Sequence, residues 1–229
     1  MADRFWLLAL SSGLIFPVLS FAGMVTGKVV DDGGNGVEAV IYADAANGEV
    51  SKAPPVAEMR QKDKAFVPRV LAVEVGQTVR FPNEDFVFHN AFSASKGNAF
   101  DLGLFKGNAK YNETTLSKIE KGPEAGVVKF KAPGRVDVFC NIHTSMSGVI
   151  VVLPHSYHTR SKPDGSFTLK TPASGAYKIH AMDDSGNEAV IAAPAGAGSV
   201  KITFKERRTT VPEHLNKEGK PYKPGDPNY

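Results

Sequence analysis

Apolar and polar residues alternate in short runs along most of this chain, and turn residues separate the runs. Within residues 70–75, Leu71, Val73 and Val75 fall on one face of an extended segment, and the alternation returns at residues 78–81. A period of two is typical of strands that bury one face. The pattern therefore predicts an all-β protein.

Two of these runs flank a turn near the start of the chain. Residues 24–30 and 37–43 both alternate, and the segment between them contains only Asp, Gly and Asn, which tolerate a positive φ. This arrangement predicts a β-hairpin. A polar, proline-containing connector at residues 47–55 follows and predicts a domain boundary.

The strand pattern returns after Leu153 and ends before a polar tail. Strands are predicted at residues 157–160, 166–169, 176–181, 188–192 and 199–204. Residues 206–229 are charged, rich in proline and nearly free of large aliphatic side chains, so we expect a disordered tail. Residues 108–126 are also polar, and we expect a loop there with a short helix through Thr115 to Glu120.

The first 22 residues have the pattern of a secretory signal peptide. Arg4 supplies a positive charge, an apolar stretch follows, and Ser20-Phe21-Ala22 has the small residues of a cleavage site. The alternative is a membrane anchor, for which the apolar stretch is short. We therefore expect export to the periplasm, with no stable membrane insertion after cleavage.

The net charge of the chain and the motifs that it lacks exclude several classes of function. The net charge of +3 over 229 residues is too small to indicate nucleic-acid binding, and no dense basic run supports it. The sequence contains no P-loop, no dinucleotide-binding fingerprint and no Ser-His-Asp signature. We therefore expect a protein that is not an enzyme.

One short segment contains an unusual set of side chains. Cys140 is the only cysteine, His143 and Met146 follow at intervals of three, and strand patterns flank the segment. A thiolate, an imidazole and a thioether favour copper, and a second histidine would complete a trigonal site with methionine as a weak axial ligand. His89, at the end of a predicted strand, is the upstream candidate.

Two simpler interpretations remain open at this point. Cys140 could be a buried, unreactive thiol, and His89 could be a hydrogen-bonded core residue. A single cysteine in an exported protein has no disulfide partner in its own chain, and metal ligation would account for it.

The full set of motifs resembles the cupredoxins, the type 1 blue copper proteins related to plastocyanin and amicyanin. The resemblance lies in KAFVPRVLAVEVGQTVRFPNEDFVFHN and FCNIHTSM, and it is strongest to exported cupredoxins labelled "methylamine utilization protein". It implies a Greek-key sandwich over residues 56–154 and one type 1 copper. The implied metal ligands are His89, Cys140, His143 and Met146. It also implies that Asn90 ties the two ligand loops together.

Both ends of the chain resemble a second family. GKVVDDGGNGVEAVIYA, DGSFTL and ASGAYKIHA resemble the prealbumin-like module called the carboxypeptidase regulatory-like domain. The resemblance implies a second, smaller β-sandwich assembled from both chain ends, with residues 23–55 contributing a hairpin and residues 155–205 the remaining strands. The copper domain would then be an insertion. The alternative is that the first hairpin extends a cupredoxin sheet.

The resemblance to cupredoxins also implies a function. Such a protein would shuttle single electrons between transient redox partners, such as a cytochrome or a dehydrogenase. A copper carrier and a metal-free structural or adhesion module are the alternatives.

Overall fold

The computed structural model describes residues 23–45, 51, 54–107, 125–172, 176–194, 198–208 and 214–222. The predicted signal peptide at residues 1–22 and the predicted helix at Thr115 to Glu120 lie outside these residues. The described residues form seventeen strands and no helix, which confirms the prediction of an all-β fold. Consistent with this, no helix in the described part of the chain is long and apolar enough to cross a bilayer.

The strands in chain order are β1 (Gly23–Val30), β2 (Ala39–Ala43), β3 (Ala57–Glu58), β4 (Arg60–Lys62), β5 (Ala65–Val67), β6 (Val70–Glu74), β7 (Thr78–Pro82), β8 (His89–Ser93), β9 (Phe100–Phe105), β10 (Ala125–Lys129), β11 (Gly134–Phe139), β12 (Ser147–Leu153), β13 (His158–Arg160), β14 (Ser166–Thr171), β15 (Ala176–Asp183), β16 (Glu188–Pro194) and β17 (Ser199–Thr203).

The middle of the chain forms one sandwich. A five-stranded sheet has the order β6-β12-β11-β8-β9, a three-stranded sheet has the order β10-β7-β3, and β4 pairs with β5. Alternate apolar side chains from these strands face each other in one core, because each strand presents every second residue to the same side. The fully buried members include Phe66, Val79, Phe81, Val136, Val138, Cys140, Met146 and Ile150.

Both ends of the chain form a second sandwich. Its sheets have the orders β14-β1-β17 and β13-β2-β15-β16, so each sheet combines a strand from residues 23–43 with strands from residues 158–203. Val25, Ile41, Leu169, Ile179 and Ile202 are fully buried in its core. The pairing of β1 with β14 and β17 joins the two chain ends in one unit. The likeness of this unit to a carboxypeptidase regulatory-like module remains a prediction.

The predicted hairpin of residues 23–55 differs from the observed arrangement. β1 and β2 lie in different sheets, and between them only the isolated bridge Val30–Gly36 forms within the described residues. Strands from the far end of the chain occupy both edges of β1 and both edges of β2. The turn therefore carries the chain from one sheet to the other, and the two strands face each other across a shared core.

The predicted tail also differs for part of its length. Residues 214–222 pack against the sandwich formed by the middle of the chain, although they contain no regular strand. The rings of His214 and Tyr222 contribute to this packing, so few aliphatic residues are needed. Residues 209–213 and 223–229 lie outside the described part of the chain.

The two sandwiches pack against each other through a small apolar cluster. It contains Val70, Val149 and Val151 of the middle sandwich, together with Val40 and Met182 of the second. All five side chains are buried, so the two units share a continuous apolar contact rather than a polar linker.

The shared core of the second sandwich leads to a stability prediction. Ile41→Ala should lower the free energy of unfolding by about 2–4 kcal/mol, because it removes a fully buried side chain and leaves a cavity. Urea denaturation measures this change. The control is Val190→Ala on β16, which is 46% exposed and should change stability by less than about 0.5 kcal/mol. Equal losses in the two variants would contradict the shared core.

Candidate metal centre

Strand pairing brings the two predicted ligand segments together. β8 begins at His89 and runs beside β11, with Phe92 opposite Phe139. β11 ends at Phe139, so Cys140 is the first residue of the following loop. Because β8 and β11 are antiparallel, the start of β8 and the end of β11 lie at the same edge of the sheet. His89 and Cys140 therefore meet despite their separation in sequence.

Backbone hydrogen bonds close the loop from Cys140 to Met146. The N–H of Met146 donates to the carbonyl oxygen of His143 at 2.9 Å. The N–H of Cys140 donates to the carbonyl oxygen of Met146 at 3.2 Å. These bonds hold the first and last residues of the loop side by side, so both side chains enter the same core cluster.

Three donor atoms converge at this edge of the sandwich. The ligand atoms of His89, Cys140 and His143 all lie within 4.8 Å of one another. Cys140 Sγ is 3.9 Å from His89 Nδ1 and 3.7 Å from His143 Nδ1, and the two Nδ1 atoms are 2.9 Å apart. His89 and Cys140 are fully buried, whereas His143 is only partly buried.

Met146 occupies the fourth predicted position. Its side chain is fully buried in the core cluster that contains Cys140. Its backbone closes the ligand loop, as described above, and its role as an axial ligand remains a prediction.

The environment of the sulfur combines burial with hydrogen bonding. Burial raises the pKa of the Cys140 thiol, because a thiolate loses hydration there. The backbone N–H groups of Asn90, Ile142 and His143 act in the opposite direction by hydrogen-bonding the sulfur. A buried thiolate with these donors needs a positive partner, and a bound metal cation would supply one.

The pKa of His143 is lowered from that of an ordinary histidine. Burial is the main cause, and the nearby His89 and Lys64 add to it. The ring of His143 is therefore neutral over a wider range of pH than a free imidazole. A neutral ring has a nitrogen lone pair available for a metal.

The structure identifies a residue that the sequence analysis missed. Asp85 lies in the loop before β8, and its Oδ2 accepts a hydrogen bond from His89 Nε2 at 2.7 Å. Because a carboxylate accepts, the proton of the neutral ring is on Nε2 and the lone pair of Nδ1 faces Cys140 and His143. Asp85 thereby selects the tautomer that a metal at Nδ1 requires.

The carboxylate of Asp85 is itself held by backbone donors. The N–H groups of Asp63 and Lys64 donate to Oδ1 and Oδ2 at 2.6 and 2.9 Å. Burial opposes ionisation of Asp85, but the hydrogen bonds from Lys64, His89 and Asp63 outweigh it and lower its pKa. The β4–β5 turn therefore fixes Asp85, and Asp85 fixes His89. Asp85 is four residues before His89 in the sequence, which is the signal that could have identified it.

Asn90 has the linking position that the family resemblance implied. Its Oδ1 accepts a hydrogen bond from the N–H of Asn141 at 2.5 Å. Asn90 follows His89 and Asn141 follows Cys140, so this bond joins the two ligand segments directly.

The donor set fits a soft transition metal. Ligands lie about 2.0–2.3 Å from such an ion, so three donors around it are separated by roughly 3.5–4 Å. The two sulfur–nitrogen distances match this spacing. The two nitrogens are closer, at hydrogen-bond distance, and an ion would replace that contact. Two imidazoles with one thiolate suit copper.

Comparison with known proteins gives an independent result. Residues 56–153 match the family model "Copper binding proteins, plastocyanin/azurin family". The match covers the strands of the middle sandwich, so this sandwich is similar to the copper-binding domains of that family. The matched range contains all four predicted ligands.

Several solved structures are similar to part of this chain. A copper-containing nitrite reductase (NirK) from Thermus scotoductus SA-01 is 24% identical, with a TM-score of 0.36, over 47% of this chain and 24% of that chain. A mutant of amicyanin in its Cu(I) form is 18% identical, with a TM-score of 0.34, over 49% of this chain and 97% of that chain. A purple cupredoxin from Nitrosopumilus maritimus is 18% identical, with a TM-score of 0.32, over 42% of this chain and 98% of that chain.

A search of curated proteins found no match to this chain. The particular resemblance to exported "methylamine utilization" proteins therefore stays a prediction.

The role of Asp85 can be tested without metal. Asp85→Asn should lower the free energy of unfolding of the metal-free protein by about 1.5–3 kcal/mol at neutral pH, because charge-assisted hydrogen bonds are lost. Urea denaturation measures the loss. The matched control is Glu84→Gln, which removes the same charge from the neighbouring residue, whose carboxylate pairs with Arg60 among the residues that the structure describes. That control should cost at most about 1 kcal/mol. If Asp85→Asn costs no more than Glu84→Gln, the assigned role of Asp85 is wrong.

Proposed function

We propose that this protein is an exported type 1 copper protein that passes single electrons between redox partners. The observation that supports this most directly is the convergence of Cys140 Sγ with two histidine nitrogens in a buried site. The copper-binding family match over the same part of the chain supports it independently.

The metal would be held by His89 Nδ1, His143 Nδ1 and Cys140 Sγ, with Met146 as a weak axial ligand. Copper in such a site supplies a one-electron couple between Cu(II) and Cu(I). No position need be open to a substrate, which is why we propose an electron carrier rather than an enzyme.

Several hydrogen bonds would hold the ligand atoms in place when a bound copper ion gains or loses an electron. Asp85 holds the ring of His89, Asn90 ties the two ligand segments, and backbone bonds close the loop from Cys140 to Met146. A site that rearranges little on oxidation exchanges electrons with a small barrier. Rigidity of this kind therefore serves electron transfer.

Surface features near the site suit a transient partner. The segment that leads into His89 exposes Phe86, Val87 and Phe88, with Phe86 62% exposed. Exposed apolar residues in a cluster mark interaction surfaces, and redox partners use small interfaces of weak affinity. His143, the partly buried ligand, is the proposed route for the electron. We expect the partners in the periplasm, in accordance with the predicted signal peptide.

A copper carrier is the alternative. A carrier must release its metal to a recipient, which favours accessible donors. Here Cys140, His89 and Met146 are fully buried, which favours retention of the metal. We therefore place electron transfer first.

The ligand assignment has a direct spectroscopic test. The copper-loaded protein should be intensely coloured by a thiolate-to-Cu(II) transition. Cys140→Ser should lose this band and nearly all tight copper binding, as measured by visible absorption and equilibrium dialysis. Met146→Gln should retain copper with a lower reduction potential, as measured by voltammetry. A Cys140→Ser protein that keeps the band would refute the assignment.

A competition experiment separates the two functions. The Cu(I) protein is mixed with a chelator, and loss of metal is followed in time beside the rate of electron self-exchange. Fast self-exchange with slow loss of Cu(I) supports electron transfer. Rapid loss of Cu(I) would favour the carrier, and failure of the wild-type protein to bind copper would favour a structural role.

A further inference from the structure

The segment 214–222, called here the strap, lies on the ligand loop. The ring of His214 stacks on Phe139, with centroids 4.0 Å apart and an interplanar angle of 19°. The Nε2–H of His214 donates to the carbonyl oxygen of Thr144 at 2.9 Å. Phe139 precedes Cys140, and Thr144 follows His143. One side chain of the strap therefore contacts both sides of the segment that carries two predicted ligands.

Lys217 adds two further contacts. Its N–H donates to Oδ1 of Asn141 at 3.0 Å, and its Nζ pairs with Asp101 of β9 at 3.0 Å. The hydrogen bond and charge of Asp101 raise the pKa of Lys217. Asn141 lies between Cys140 and His143, and its N–H already bonds Asn90. Asn141 therefore connects the strap to the hydrogen bond that joins the two ligand segments.

Hydrogen bonds within the strap fold it into a tight turn. The N–H of Asn216 donates to the carbonyl oxygen of Lys220 at 2.8 Å, and Oδ1 of Asn216 accepts from the N–H of Lys220 at 2.9 Å. Gly219 has a φ of 72°, which this tight turn requires and which glycine adopts without strain. The turn presents His214 and Lys217 on one side, so their contacts with the loop form together.

Tyr222 completes the arrangement. Its ring meets the ring of His214 edge-on, with centroids 5.4 Å apart. Burial and then the charge of Cys140 raise the pKa of Tyr222 to about 12. The ring of Tyr222 therefore packs against the side chain through which the strap contacts the loop.

We propose that residues 214–222 are a built-in strap that holds the Cys140–Met146 loop, with His214 as its main positioning residue. The strap contacts the loop at Phe139, Asn141 and Thr144. These residues are neighbours of Cys140 and His143 in the sequence and are not predicted ligands. These contacts lie on the outer side of the loop and add to the hydrogen bonds that close it and join it to Asn90. By restraining it, the strap keeps the sulfur and the imidazole at their spacing and slows escape of a metal. The proposal deepens the proposed function, and its effect on copper rests on that function.

The first test uses metal-free protein and is independent of copper. In His214→Ala, the amide hydrogens of Cys140 and Met146 should exchange about ten-fold faster than in wild type, because one hydrogen bond and one ring stack are lost. His214→Phe keeps the stack and should fall between the two. The control is Leu215→Ala, which is 51% exposed and should leave the rates unchanged. Exchange in β12 reports whether each variant is folded.

The second test uses copper-loaded protein. His214→Ala, and a chain ending after Arg208, should release Cu(I) to a chelator about ten-fold faster than wild type, with a change in the charge-transfer band. A purely structural role would alter the unfolding curve and leave the band and the release rate unchanged.

The outcomes of the two tests are distinct. If the amide hydrogens of Cys140 and Met146 exchange as slowly in His214→Ala and in the shortened chain as they do in the wild-type protein, the proposed strap is wrong. Unchanged copper release and spectrum, with faster amide exchange, would overturn its role at the metal. If the wild-type protein bound no copper, the proposed function would fail, and the amide exchange would still decide whether the strap restrains the loop.

Discussion

A single cross-strand pair brings the candidate metal centre together. Phe92 of β8 stands opposite Phe139 of β11, and this register places the start of one strand beside the end of the other. A shift by one residue would turn every side chain of β8 to the opposite face, and His89 would leave the core. The hydrogen bond from Asn141 to Asn90 reinforces the same register from the loop side. The geometry of the donors thus depends on strand pairing first and on the loop second.

Most donor residues of this centre could be predicted from the sequence, because three of them lie within seven consecutive residues. The spacing of Cys140, His143 and Met146 follows from one short loop, and apolar alternation indicated the strands that flank it. The upstream histidine could be chosen because it lies at a predicted strand terminus and precedes Asn90, although the strand begins at His89 and does not end there. These signals need only near neighbours along the chain.

Other features depend on partners that are distant in sequence, and the pattern of residues could not supply them. Residues 24–30 and 37–43 have the composition of a hairpin, yet strands from beyond residue 157 occupy their edges. Asp85 is an ordinary acidic loop residue until its carboxylate is seen beside His89. His214 lies in a segment whose composition favours disorder, and stacking on Phe139 overrides that tendency. In each case a long-range contact outweighs the local preference.

The position of β1 between β14 and β17 also bears on how the chain acquires its structure. Among the described strands, β1 is the first in the chain and its partner β17 is the last. The described strands of the middle sandwich all come from one continuous stretch of the chain, whereas the second sandwich pairs strands from both sides of that stretch. Closing the larger loop carries the greater entropic cost and slows its pairing. We therefore expect the second sandwich to pair more slowly than the middle one, and its strand pairing holds the two ends of the middle domain together.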